Sequence, residues 1–151
     1  MAENYPQRKR LYHDTPSWVA RGSVFFITVN CLKRGENALC HPDIAERIFE
    51  SLEFRIRAGE WYPTLFLLIP DHCHGLIAFS AQVRMKSILK NWKRYLARNL
   101  GIQWQEDFFD HRIRSVTELN LKANYIRQNP VRAGLVKAAE DWPYVWTNVD
   151  G

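Results

Sequence analysis

The sequence predicts an α+β protein in which helices pack against one antiparallel sheet. Segments rich in β-branched and aromatic residues, which are typical of strands, alternate with segments whose apolar residues recur at helical spacing. The composition, 46% hydrophobic and 25% charged, is ordinary for a globular chain. We expect residues 1–151 to form a single domain, because a chain of this length buries a sufficient core.

A strand and a helix come first. Residues 23–30 are mostly β-branched or aromatic and predict a buried strand. Pro42 begins a helix with Asp43 in its first turn, and Gly59 ends that helix. The apolar residues of the helix recur every four positions, at Ile44, Ile48 and Leu52.

Two strands joined by a turn follow. Residues 61–69 predict the second strand and residues 72–79 the third, with a turn signal at Pro70 and Asp71. The second half of the third strand is fully apolar, which predicts a central position in the sheet.

The rest of the chain predicts two helices with a strand between them. Residues 83–100 form the second helix, and residues 104–114 form a loop and a fourth strand. Ser115 begins the third helix, because Glu118 completes a capping box. We expect this helix to end before Pro130, since a residue preceding proline avoids helical geometry. The apolar stripe of the second helix comprises Met85, Ile88, Leu89, Trp92 and Leu96.

The predicted order is therefore β-α-β-β-α-β followed by one added helix. The first six elements match the split βαβ, or ferredoxin-like, arrangement. Four antiparallel strands would then carry two helices on one face. The third helix would lie near the open face, where an active site has room.

Charge and cysteine content narrow the class of protein. The net charge of +5 and the isoelectric point of about 9.3 favour a polyanionic partner. The three cysteines have spacings that fit no disulfide framework or zinc ribbon, so we expect reduced thiols. The chain contains no apolar run of membrane-spanning length, and its first residues lack a signal-peptide core. We therefore expect a cytoplasmic protein without membrane contact.

Two histidines at the start of the third strand are candidate metal ligands. Side chains alternate along a strand, so His72 and His74 should point to one face and Cys73 to the other. Two imidazoles on one face can bind the same divalent cation. The alternative is a pair of buried, hydrogen-bonded histidines, which is the commoner meaning of an isolated His-x-His.

Tyr125 on the third helix is a candidate nucleophile. At 100° per residue it lies beside the apolar stripe formed by Leu119, Ala123 and Ile126. Asn129 projects from the same face one turn later, where its amide oxygen can be a third metal ligand. Lys122 is near Tyr125 in helical angle, but the sequence identifies no general base. The alternative is that Tyr125 packs under a loop and Asn129 caps the helix end.

Basic and aromatic residues suggest contacts with a nucleic acid. Six cations and no acid occur on the second helix, which favours salt-sensitive binding to phosphates over the usual solvated face. The candidates there are Arg84, Lys86, Lys90, Lys93, Arg94 and Arg98, and those elsewhere are Arg112, Arg114, Arg127 and Arg132. Six aromatic residues are candidates for stacking with unpaired bases: Trp104, Phe108, Phe109, Trp142, Tyr144 and Trp146. We expect more of them to lie in the core than to contact a base.

These residue types suit cleavage of a phosphodiester. A divalent metal offsets the negative charge of the phosphate, and a phenol with a pKa near 10 needs a nearby cation or base to ionise. Two histidines and an amide oxygen leave open positions on the metal. Mg²⁺ or Mn²⁺ suits such a transient site better than a closed zinc cage would.

Over most of its length the chain resembles the single-tyrosine HUH transposases, and within them the REP-associated tyrosine transposases. The most specific match is the segment YIRQNPVRAGLV at residues 125–136. The segment PDHCH at residues 70–74 is similar to the family's His-hydrophobic-His metal motif, with Cys73 replacing the usual aliphatic residue. Shorter similarities occur at residues 16–19, 25–28, 109–114 and 142–144.

The resemblance implies a domain that nicks and rejoins single-stranded DNA beside small hairpins. It implies Tyr125 as nucleophile, with His72, His74 and Asn129 as ligands of Mg²⁺ or Mn²⁺. The implied partner is single-stranded or hairpin DNA, and a monomer is favoured over a homodimer. Two alternatives stay open: a hairpin-binding module with an idle site, and a zinc hydrolase. No third histidine or paired glutamate at a familiar spacing supports the hydrolase.

Overall fold

The computed structural model describes residues 23–80 and 84–148, and the predicted order of elements is present in it. The similarity at residues 16–19 lies outside this part of the chain. A short 3-10 helix, Ala139–Asp141, precedes the last strand. The other elements, in chain order, are β1 (Val24–Asn30), α1 (Pro42–Arg57), β2 (Trp61–Ile69), β3 (His72–Phe79), α2 (Met85–Leu100), β4 (Phe109–Arg112), α3 (Val116–Arg132) and β5 (Val145–Thr147).

One antiparallel sheet organises the molecule. Its strand order is β4-β1-β3-β2-β5, which contains the predicted ferredoxin-like order with β5 added beside β2. The central position predicted for β3 is confirmed. The sequence analysis did not predict β5, because three residues are too few to show a strand periodicity. None of the helices in the described residues is long and apolar enough to span a bilayer.

The sheet buries a separate cluster of side chains on each face. On one side, called here the two-helix face, Ile48 of α1 and Trp92 of α2 pack against the strands. On the other side, called the α3 face, Leu119 and Ile126 of α3 do so. Cys73 belongs to the cluster on the two-helix face, whereas Leu76 and Ala78 belong to the cluster on the α3 face. The predicted alternation along β3 is therefore confirmed, and it places His72 and His74 on the α3 face.

The start of α3 is fixed to the edge of the sheet. The Ser115 hydroxyl accepts a hydrogen bond from the Glu118 amide at 3.0 Å, which confirms the predicted helix start. The Glu118 carboxylate accepts in turn from the Arg114 amide at 2.7 Å and lies 2.6 Å from Nε2 of His111 on β4. These contacts hold the first turn of α3 against β4.

The end of α3 differs from the prediction, which was wrong. The helix continues through Pro130 to Arg132. Proline lacks an amide proton, so it removes one helical hydrogen bond. Its ring is nevertheless buried one turn beyond Ile126, and its carbonyl accepts a bond from the Leu135 amide at 2.9 Å. Burial of the ring at the last turn offsets the lost bond, and this could not be seen from local sequence preference.

Gly75 is predicted to be required because it leaves room for the ring of Phe66 on the neighbouring strand β2. A Cβ added at Gly75 would lie 2.8 Å from Cδ2 of Phe66, whose ring is held against Trp92 with centroids 5.6 Å apart. We expect Gly75→Ala to lower the free energy of unfolding by about 1–3 kcal/mol, measured by urea denaturation. Adding Phe66→Leu should relieve the contact, so the double mutant should lose less than the sum of the single losses. Additive losses would contradict this explanation.

Candidate metal and nucleophile site

Four predicted site residues lie together on the α3 face. The ring centroids of His72 and His74 are 4.8 Å apart, and those of His74 and Tyr125 are 6.0 Å apart. The side-chain amide nitrogen of Asn129 lies 2.8 Å from Nε2 of His74. β3 supplies the imidazoles, and two successive turns of α3 supply the phenol and the amide. The alternation of side chains along β3 and the helical spacing along α3 therefore bring these four residues to one place, as predicted from the sequence.

Hydrogen bonds orient both imidazoles. Nδ1 of His72 lies 2.7 Å from Oδ1 of Asp71, and Nδ1 of His74 lies 2.9 Å from Oγ1 of Thr28. When Nδ1 carries the proton of such a bond, Nε2 is the nitrogen left to accept a cation. A carboxylate or hydroxyl behind a ligating histidine is the usual outer partner of a metal-bound imidazole.

The environment keeps His74 neutral. This side chain is only 5% exposed. Burial, followed by repulsion from His72, Arg132 and Arg34, lowers the pKa of His74 to about 3. At neutral pH the ring therefore retains the lone pair that a metal ligand requires.

Asp71 was predicted only as a turn residue, but the structure places it behind His72. Its Oδ2 accepts hydrogen bonds from the Gly35 amide at 2.8 Å and from Nε of Arg34 at 3.1 Å. Burial acts to raise the pKa of this carboxyl, but the bonds from His72 and Gly35 and the charge of Arg34 lower it overall. The Asp71 carboxylate is therefore ionised, and these bonds fix its position behind His72. The sequence around Asp71 could not predict this role, because the loop that contains Arg34 and Gly35 is distant along the chain.

The donor set at this site fits a divalent cation with open positions. Across the described ranges, no three His, Cys, Asp or Glu side chains are grouped closely enough to hold a metal ion. A cation at His72 and His74 therefore needs another type of donor, and the Asn129 amide is adjacent. In the structure, its nitrogen faces His74, and a half-turn of the amide would exchange nitrogen for oxygen. Two imidazoles and one amide oxygen suit Mn²⁺ or Mg²⁺ with remaining positions free.

Tyr125 is accessible and has two cations beside its ring. The residue is 45% exposed, and its ring packs edge-on against Phe26 with centroids 5.9 Å apart. Nζ of Lys122 lies 5.9 Å from the centre of the Tyr125 ring, and Cζ of Arg132 lies 4.1 Å from it. Tyr125 therefore does not occupy the position of a core residue packed beneath a loop.

The basic residues of α2 lie across the sheet from Tyr125. Because α2 packs on the two-helix face, its cations do not border the cluster of histidines. Lys86 and Lys90 line a surface cavity together with Glu106, Asp107 and Asp110, and these acids partly offset their charge. Five of the six predicted cations are exposed: Arg84, Lys86, Lys90, Arg94 and Arg98.

Lys93 departs from the prediction of a DNA contact. It is only 9% exposed, and its Nζ donates hydrogen bonds to the carbonyls of Gln105 and Glu106 at 2.7 and 2.8 Å. This lysine holds the loop before β4 and is not available to a phosphate. A charge run in the sequence cannot reveal this difference, because it depends on the loop that covers α2.

The four remaining arginines are dispersed. Arg112 is paired with Phe25, a residue of the two-helix face, so it projects away from the histidines. Arg114 is exposed beyond β4, and Arg127 is half-buried and engaged in an interaction of its own. Arg132 contacts Tyr125 directly. The aromatic candidates fall into two groups. Phe109 is 55% exposed, whereas the other five are partly buried and pack against the core: Trp104, Phe108, Trp142, Tyr144 and Trp146.

The chain is similar to two curated relatives, although no protein-family model matches it. The "Putative REP-associated tyrosine transposase" of Haemophilus influenzae is 28% identical, with 82% of this chain and 79% of the relative covered. The REP-associated tyrosine transposase of Escherichia coli K12 is 26% identical, with 82% of this chain and 76% of the relative covered. The predicted resemblance to REP-associated tyrosine transposases is confirmed by these relatives.

A solved structure shows the same fold. It is that of a REP-associated tyrosine transposase bound to a REP hairpin, and it matches with a TM-score of 0.74. The match covers 96% of this chain and 82% of the solved chain at 24% sequence identity. The predicted α+β class with a ferredoxin-like sheet is thereby confirmed.

The thiols are predicted to be unreactive in the folded protein. Burial, followed by the charge of Asp71, raises the pKa of Cys31 to about 11 and that of Cys40 to about 12, and burial raises the pKa of Cys73 well above its ordinary value. At pH 8 we expect slow alkylation by iodoacetamide, measured by mass spectrometry, and rapid alkylation in urea. Fast modification of native Cys73 would contradict its placement on the two-helix face.

Removal of the carboxylate behind His72 is predicted to weaken metal binding. We expect Asp71→Ala to lower the affinity for Mn²⁺ by about 10- to 100-fold, because His72 would lose the partner that orients it. Isothermal titration calorimetry would measure the affinity, and circular dichroism would check the fold. Asp110→Ala removes a carboxylate on the two-helix face and should leave the affinity unchanged. Equal affinities for the Asp71→Ala variant and the unmodified protein would refute the role of Asp71.

Proposed function

We propose that this protein is a metal-dependent single-stranded DNA transposase and endonuclease that nicks and rejoins DNA near hairpins through a 5′-phosphotyrosine intermediate. The observation that carries the proposal is the position of an exposed phenol, Tyr125, 6.0 Å in ring separation from His74 on the α3 face. The names of the two curated relatives support this function. So does the REP hairpin bound to the transposase of the same fold.

In the proposed reaction, the Tyr125 oxygen attacks the phosphorus of a phosphodiester. A bond forms between the phenolic oxygen and phosphorus, and the bond from phosphorus to the 3′ oxygen breaks. The phenol loses its proton and the departing 3′ oxygen gains one, which leaves a free 3′-hydroxyl. Attack by the 3′-hydroxyl of another strand reverses the step and rejoins DNA. The covalent intermediate conserves the bond, so no external energy source is needed.

His72, His74 and Asn129 are the residues proposed to hold the metal. When bound there, Mg²⁺ or Mn²⁺ would supply positive charge that offsets the charge of the phosphate. Asp71 and Thr28 keep the two imidazoles oriented, and His74 stays neutral at the pH of the cell. Lys122 and Arg132 place positive charge beside the phenol, where negative charge would develop during attack.

The exposed ring of Phe109 is proposed to guide an unpaired base to Tyr125. Phe109 is paired with Thr28, which is itself paired with His74, so all three side chains belong to the α3 face. The Phe109 ring contacts Phe26 with centroids 6.1 Å apart, and Phe26 also contacts Tyr125. An exposed aromatic ring at this edge is a suitable platform for base stacking.

The DNA surface is proposed to extend beyond the nucleophile. The exposed cations of α2 lie on the two-helix face, so they would contact a part of the DNA remote from the attacked phosphate. Arg112 of the edge strand β4 projects to the same two-helix face as these cations. A DNA hairpin with a single-stranded extension has enough length to reach both. Binding at the α2 surface should weaken with salt, because it depends on phosphate contacts.

Covalent capture tests the proposed function. A labelled strand with a hairpin is incubated with Mn²⁺ and separated on a denaturing gel, where we expect an adduct with the unmodified protein. Tyr125→Phe should keep DNA binding but form no adduct, because the attacking oxygen is gone. His72→Ala should lose the metal-dependent adduct while keeping its circular dichroism spectrum.

Tyr95→Phe is the matched control, because Tyr95 is also 45% exposed but belongs to α2. This variant should form the adduct at the unmodified rate. Appreciable adduct with Tyr125→Phe would refute the nucleophile assignment. Tight binding without any adduct in the unmodified protein would favour the alternative function, a hairpin-binding module with an idle site.

A further inference from the structure

Arg132 makes two contacts with the proposed nucleophile. Its Cζ lies 4.1 Å from the centre of the Tyr125 ring, so the guanidinium lies over the aromatic face. Its Nη2 donates a hydrogen bond to the backbone carbonyl of Tyr125 at 2.7 Å. The arginine is thus anchored to the main chain of the same residue whose ring it covers, which restricts the orientation of the phenol.

The path of α3 makes this contact possible. Arg132 follows Tyr125 by seven residues, or about two helical turns, so both project from one face of the helix. This relation requires the helix to continue through Pro130, as it does. A helix ending before the proline would leave Arg132 without a defined position relative to Tyr125.

The guanidinium has donors left for a ligand. Arg132 is exposed, and no carboxylate within residues 23–80 and 84–148 forms an ion pair with it. An arginine has five N–H donors in a planar fork that matches two oxygens of a phosphate. One donor bonds the Tyr125 carbonyl, and the others remain beside the phenol, where a phosphate under attack would lie.

Resting on the proposed function, we propose that Arg132 binds the phosphate that Tyr125 attacks and holds the phenol in position for that attack. As the phosphorus–tyrosine bond forms and the 3′ oxygen leaves, negative charge concentrates on the non-bridging oxygens. The guanidinium supplies positive charge to those oxygens and exchanges no proton, since arginine stays protonated at all relevant pH values. The competing explanation is structural: a cation in the last turn stabilises the end of any helix.

A comparison of two substrates separates these explanations. One carries an ordinary phosphate at the cleaved position, and the other carries an uncharged methylphosphonate there. With the phosphate we expect Arg132→Gln to slow adduct formation by about 100-fold, the usual effect of losing one donor to a developing anion. With the methylphosphonate the loss should shrink to a few-fold, because the charge that Arg132 balances is absent. A structural role would produce the same loss with both substrates.

Two further variants complete the experiment. Arg132→Lys keeps a cation at the helix end but lacks the planar fork, so it should retain thermal stability and still form adduct about 10-fold more slowly. Arg57→Gln removes an exposed cation from the last turn of α1 and should change neither rate.

Each result decides between the proposals. Equal losses for Arg132→Gln on both substrates, or an unmodified rate, would overturn the role of Arg132 alone. Absence of adduct with the unmodified protein would overturn the proposed function, and the role of Arg132 with it. A rate with Arg132→Lys equal to that of the unmodified protein would show that charge alone suffices, and it would overturn the positioning role.

Discussion

The alternation of side chains along β3 determines which face of the sheet can carry chemistry. His72 and His74 belong to the α3 face, while Cys73 and Gly75 belong to the two-helix face beneath Phe66. A slip of one residue in the pairing would exchange the two sets. The register is held at one end by the turn at Asp71, which Gly35 and Arg34 bind, and in the middle by the absence of a side chain at Gly75.

A second constraint positions the residues of α3. The helix buries Leu119 and Ile126 against the sheet, and Ser115, Glu118 and His111 fix its first turn to β4. With the buried stripe and the start both fixed, the helix cannot rotate or slide without loss of packing. The amide and the phenol therefore point towards β3 as a consequence of apolar burial on the neighbouring side of the helix.

The elements and the convergence of the site were predictable because both follow from short-range periodicity. Strand parity placed the histidines together, and the helical angle placed Tyr125 beside Asn129. What escaped prediction depends on contacts between distant segments. The loop behind Asp71, the carbonyls that capture Lys93 and the burial that carries α3 through Pro130 have no local signal. The three-residue β5 is too short to show a pattern.

Tyr125 and Asn129 occupy successive turns of one helix, and this has a consequence for control of the site. Any motion that withdraws α3 from the sheet carries both side chains away from His74 together. A binding partner that displaced this helix would therefore remove the phenol and the amide from His74 together, and its release would return both.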